Sequence, residues 1–126
     1  MEKKAKYLFL NTRDEFYRVD ISKIVWLEAA ANYTTFCLCN GEKGEFLASL
    51  GKMQEILSET LREDARGFAR VGKSHIVNLR YVYHISPLRG ELTLSDGASF
   101  SYRLSVGKEA LKGLKKVFVD MATKKQ

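Results

Sequence analysis

A single proline, two histidines, two cysteines and one tryptophan are all that 126 residues contain of those types. Each scarcity excludes something. The histidines His75 and His84 and the cysteines Cys37 and Cys39 match no zinc-site spacing, and a C-x-C pair without a further thiol or a nearby imidazole binds metal poorly. Two residues apart in a strand, the thiols point the same way, but a disulfide so short would be strained. Both read as small apolar groups in a reducing compartment. No apolar run approaches the ~20 residues needed to cross a bilayer, and Met1-Glu2-Lys3-Lys4 lacks the apolar stretch of a signal peptide. A cytoplasmic chain without a membrane partner is expected. A glycine-rich phosphate loop is missing too, since Gly41 and Gly44 fall in a hairpin. Ser74 and His75 are adjacent, and neighbours in extended chain point apart, so they form no nucleophile–base pair. No catalysis, cofactor or metal is expected.

Acid is scarce in one half only. Residues 1–65 carry nine Lys/Arg against eleven Asp/Glu, a net of −2, whereas residues 66–126 carry twelve against four, a net of +8. A one-sided positive field attracts polyanions, most simply nucleic acid or an anionic membrane surface. Hydrophobic residues at 45% and charged residues at 29% suit a folded domain, and the length suits one domain with its own core.

Period-two alternation dominates. Tyr7–Leu10 and Glu15–Val19 read as a strand pair about a turn at Asn11–Asp14, and Ile24–Glu28 reads as an apolar strand. Ala29–Asn32 breaks the alternation and reads as a loop or bulge. Tyr33–Cys39 and Glu45–Ala48 flank Asn40-Gly41, a strong hairpin signal, with Phe36 and Leu38 on one face and Cys37 and Cys39 on the other. Ser49 can cap a helix whose stripe is Leu50, Met53, Leu57 and Leu61. Arg62–Gly67 reads as a charged loop; Phe68–Val71, Val82–Ile85, Glu91–Leu94 and Ser99–Leu104 read as further strands. Ser105 could cap a last helix with the stripe Ala110, Leu114, Val117 and Met121; residues 119–126 read as a tail beyond the core, disordered at its lysine-bearing end. The lysines Lys108, Lys112, Lys115 and Lys116 cluster elsewhere on that helix, a solvated face within reach of phosphate. Without βαβ alternation, the pattern predicts an all-β or β-rich domain with one or two short helices.

One stretch offers concentrated chemistry. Gly72 permits a turn between apolar flanks, and Lys73, Ser74 and His75 then present a cation, a hydroxyl and an imidazole in succession. Arg70 to Leu79 resembles the R-[VI]-x-[KR]-S-[HYF]-[IL]-V-N-L signature of LytTR-type DNA-binding domains. Ile24-Val25-Trp26-Leu27-Glu28-Ala29 with Asn32-Tyr33 resembles that family's I-x-[YW]-[IL]-E-A-x-x-N-Y block. Ser49–Met53 resembles its helix start and Leu94–Gly97 its late hairpin, so four blocks in order span about residues 7–118.

The resemblance implies an elongated stack of antiparallel sheets that reads double-stranded DNA through loops and regulates transcription. It implies base contacts from three places. Position by position these fall on Thr34 with Asn32 and Tyr33 beside it, on Lys73 with Ser74 seating phosphate, and on a third cluster of Arg103, Ser105 and Lys108. Where the family shows V-S-[RK]-x this chain has Tyr102-Arg103-Leu104-Ser105, which leaves the third reader unassigned among those residues. Gly72 replaces a His or Arg common in the family and removes one phosphate contact. Asn78 is expected to support the knuckle by bonding backbone, His75 to pack with a satisfied ring, Glu28 to act as a clamp and Trp26 to join the core. Such domains usually follow a phosphorylatable receiver; with the first block at residue 24, a stand-alone domain of 1–126 is expected, with a weak homodimer on paired sites left open. The competing reading is a β-sandwich protein–protein adaptor whose basic half is incidental.

Overall fold

The computed structural model describes residues 6–62 and 67–124, and among these it has ten short strands and two α-helices. In order they are β1 (Tyr7–Asn11), β2 (Phe16–Asp20), β3 (Ile24–Ala30), β4 (Tyr33–Leu38), β5 (Lys43–Phe46), α1 (Leu50–Leu61), β6 (Phe68–Val71), β7 (His75–Asn78), β8 (Val82–Ser86), β9 (Glu91–Ser95), β10 (Ser101–Ser105) and α2 (Lys108–Lys124). They form three antiparallel sheets: β1-β2, β5-β4-β3-β7-β6 and β10-β9-β8.

The five-stranded sheet is apolar on both faces, and so it must be covered twice. On one face Leu27, Phe36 and Ile76 meet Leu8, Leu10 and Val19 of the β1–β2 hairpin and the stripe Leu50, Met53, Leu57 and Leu61 of α1. On the other, Trp26, Cys37 and Val77 meet Leu92, Leu94 and Leu104 of the three-stranded sheet and Leu111 and Leu114 of α2. The β-rich stack of antiparallel sheets with two helices is therefore as expected. A register shift between Ile24 and Trp26 turns Val25 and Trp26 together into the second core. Gly44 lies opposite Phe36, where a Cβ would run into the aromatic ring.

Helix α1 follows its sequence signals: Ser49 accepts a hydrogen bond from the Lys52 amide at 3.1 Å, and all four stripe residues are buried. Helix α2 does not. Ser105 belongs to β10, paired with Glu91, and the first turn closes from Leu111 N–H to the Gly107 carbonyl at 3.1 Å. Of the expected stripe Leu114 is buried and Ala110 packs against the core, joined by Leu111 and the partly buried Phe118, whereas Val117 and Met121 are exposed. The helix runs to Lys124, one turn past Met121, the last residue of the expected stripe. At Ala29–Asn32 the strand persists through Ala30, and a two-residue turn joins β3 to β4 with Ala31 at φ 55. Most of the Arg62–Gly67 loop lies outside the described residues.

Candidate nucleic-acid interface

Because β3 sits between β4 and β7, the β3–β4 turn and the β6–β7 turn emerge side by side at one end of the five-stranded sheet. The Ala29 amide donates to the Ser74 carbonyl at 2.9 Å and ties the two turns together. Gly72 takes φ +66, which suits glycine alone without strain, and a Cβ there would lie 3.6 Å from the Ala110 Cβ. The knuckle is thus flanked by the β3–β4 turn on one side and by the first turn of α2 on the other.

Asn32, Tyr33, Lys73 and Ser74 all reach the surface at this end, and Lys108 opens the adjoining helix. Among the described residues, the side chains of Asn32, Lys73 and Ser74 make no hydrogen bond or ion pair within the molecule. Thr34 departs from the expectation. It is 0% exposed, shares the inner face with Phe36, and its hydroxyl donates to the Ala48 carbonyl at 2.9 Å. A side chain so placed presents nothing to a duplex. Arg103 and Ser105 are exposed on the outer face of the three-stranded sheet, since Leu104 between them turns into the core. The third cluster is therefore divided: Lys108 adjoins the knuckle, whereas Arg103 lies across from Thr93 on another surface.

Beneath the knuckle, Glu28 accepts from the Trp26 indole N–H at 3.2 Å and faces His75 Nε2 at 3.5 Å, which sets its carboxylate between the two rings. Asn78 does bond backbone, donating to the Ile24 carbonyl at 2.9 Å and accepting from the Arg80 amide at 3.2 Å. It does so at the far end of β7, so it braces the opposite end of the sheet and not the knuckle. Charge is uneven around the turns. Tyr33 shares a cleft with Asp14, Glu15, Glu45 and Arg13, a net negative lining that repels phosphate.

The sequence of residues 14–118 matches the model of the LytTr DNA-binding domain family. The chain belongs to that family. A solved structure, the LytTr DNA-binding domain of a Bacillus cereus protein described as a methyl-accepting/DNA response regulator, has the same fold with a TM-score of 0.64 and 23% identity. The match covers 91% of this chain and 98% of that one. No protein of curated function is significantly similar in sequence. By family this is a DNA-binding domain.

One feature of this LytTr domain escapes the sequence. Arg70 donates through Nη2 to the Lys73 carbonyl at 2.9 Å, closing the knuckle over its own strand. The signal was its position three residues before Lys73 on a strand that folds back. Cys37 is the small apolar group that the sequence suggested: burial pushes its thiol up to about 11, with Lys43 opposing and Glu28 reinforcing the shift. A thiol in that state is a core group and no nucleophile. Asp96 is accounted for by its hairpin: the Ser99 hydroxyl and the amides of Ala98, Phe100 and Ser99 hold its carboxylate well below the usual range.

Proposed function

We propose that this LytTr domain reads a specific double-stranded DNA site and regulates transcription, with base and phosphate contacts made by turns instead of an inserted recognition helix. The observation that carries the reading is the pairing of firm backbone with idle side chains. The knuckle's carbonyls are bound by Arg70 and Ala29, while Asn32, Lys73 and Ser74 keep every polar side-chain atom for a partner. Lys73 has the chemistry for a guanine O6/N7 contact, Asn32 for an adenine edge, and Ser74 for phosphate. Lys108 at the neighbouring helix start adds a phosphate contact, and the exposed Arg103 and Ser105 extend the footprint only on a duplex that bends toward the three-stranded sheet. The net +8 of residues 66–126 supplies attraction that is independent of sequence and weakens with salt.

Selecting bound sites from random duplexes, then measuring Lys73→Ala on the selected and a scrambled site, tests this. Loss of a base contact weakens the selected site by ~1–3 kcal/mol and the scrambled one far less. Equal losses on both make Lys73 a phosphate contact, and failure to enrich any site removes the reader altogether.

A further inference from the structure

Helix α2 carries a second surface, which the DNA reading uses only at Lys108. Pro87 and Leu88, in the β8–β9 loop, and Val119 on α2 line a cleft of about 520 Å³, and Lys108, Lys112, Lys115 and Lys116 complete its wall. Leu88 is 89% exposed, an unusual setting for so large an apolar side chain. It is not carried on slack chain. The Gly90 amide donates to the Pro87 carbonyl at 3.2 Å, the Val106 amide to the Gly90 carbonyl at 3.0 Å, and Gly90 takes φ +67. The turn fixes Leu88 as a preformed apolar knob beside the helix.

The lysines are as telling as the floor. Lys112 pairs with Glu109 at 3.4 Å, and among the described residues Lys108, Lys115 and Lys116 have no acidic partner. Lysine stems add apolar wall while their ammonium groups ring the opening. A DNA backbone would use the ring and leave the floor in water. A segment with a bulky apolar face and carboxylates on its flanks would use both, in the helix-in-groove manner. We propose that this cleft docks an acidic amphipathic segment of another protein, with Leu88 and Val119 contacting its apolar face and Lys112, Lys115 and Lys116 its carboxylates. Lys108 is the one residue that this cleft shares with the DNA reading, so Leu88 can be changed without touching a proposed duplex contact.

The test uses the full chain and a fluorescein-labelled, helix-forming peptide of roughly 16 residues, with leucine on one face and glutamate elsewhere. Controls are a peptide of the same composition with the stripe scrambled, a glutamine-for-glutamate version, and vesicles of phosphatidylglycerol with phosphatidylcholine. The expected result is binding in the range of ~10–100 µM, about tenfold tighter than either control peptide. Leu88→Ser should weaken it at least ~5-fold, with duplex affinity unchanged, and the Lys115→Gln/Lys116→Gln pair should weaken it ~10-fold. Because Leu88 is exposed, its replacement leaves the fold intact, which circular dichroism checks directly. Equal binding of the scrambled peptide, indifference to Leu88→Ser, no binding up to ~1 mM, or Leu88-dependent binding to the vesicles in place of the peptide would each overturn the proposal.

Discussion

The two ends of the five-stranded sheet treat polar groups in opposite ways. At the end where β3 begins and β7 finishes, the polar side chains point inward and are consumed. Asn78 bridges the Ile24 carbonyl and the Arg80 amide, the Tyr81 hydroxyl donates to the Ser22 carbonyl at 2.8 Å, and burial raises the Tyr81 phenol above its ordinary value. At the other end the internal bonds run to backbone, from Arg70 and Ala29, and the side chains of Asn32, Lys73 and Ser74 are left over. Buried polar groups without partners are destabilising, so an end built for stability satisfies all of its own. An end built for recognition fixes its backbone and leaves its side chains to a partner, since a preorganised contact loses less entropy on binding. The contrast distinguishes two asparagines, Asn32 and Asn78, that composition alone treats alike.

The largest effect should come from breaking the inward end. Asn78→Ala strands the Ile24 carbonyl and the Arg80 amide in or near the core, and should lower stability by about 2–4 kcal/mol, read from the urea midpoint at constant slope. Asn78→Asp keeps the acceptor for Arg80 but sets a buried carboxylate oxygen against the Ile24 carbonyl, acceptor against acceptor, so a loss at least as large is expected from it at neutral pH. At concentrations of folded protein corrected for stability, neither variant should alter duplex affinity. A change in site preference with stability intact would put DNA at the wrong end of the sheet.

Much of this was legible in the sequence. Alternation and the turn at Asn40-Gly41 located every strand but β7, whose Ile76 and Val77 are buried on opposite faces and so do not alternate, and the stripe of α1 with its Ser49 cap appeared residue for residue, because local signals and burial agree there. The failures arise where tertiary context decides. The start of α2 depends on where β10 stops, since Ser105 pairs with Glu91, and its core-facing stripe takes in Leu111 and Phe118 in place of Val117 and Met121. Ala31 adopts a positive φ because the β3–β4 register leaves only two residues for the turn, a demand that three consecutive alanines do not announce. In the candidate site, the knuckle was visible as a polar block between apolar flanks. Arg70 was not, since its role depends on the chain folding back over it.

Arg70 offers a sharper and smaller probe of the outward end. Arg70→Ala frees the Lys73 carbonyl, an exposed group that water can satisfy, so stability should change by less than about 1 kcal/mol. Affinity for a selected site should nevertheless fall by ~3–10-fold, because a loosened knuckle must be ordered on binding. Arg70→Lys retains the charge but lacks the guanidinium fork, so partial recovery at low salt is expected and site preference should stay reduced. Full recovery by lysine would make Arg70 a phosphate contact instead of a brace.

Thr34 gives the smallest effect and the cleanest division between position in a motif and place in a fold. By position it is the first loop's reader; by structure it is fully buried with its hydroxyl on the Ala48 carbonyl. Thr34→Val preserves shape and removes that bond, leaving one carbonyl short of a donor near the start of α1, so a loss of about 1 kcal/mol in stability is expected. Asn32→Ala removes no internal hydrogen bond and should leave stability within about 0.5 kcal/mol while weakening the selected site. The two substitutions, two residues apart, should therefore affect different measurements: unfolding midpoint for Thr34, duplex affinity for Asn32. If Thr34→Val instead weakens the selected duplex and spares the midpoint, β4 must open at its first residues when DNA binds, and the outward end is less fixed than its backbone bonds imply.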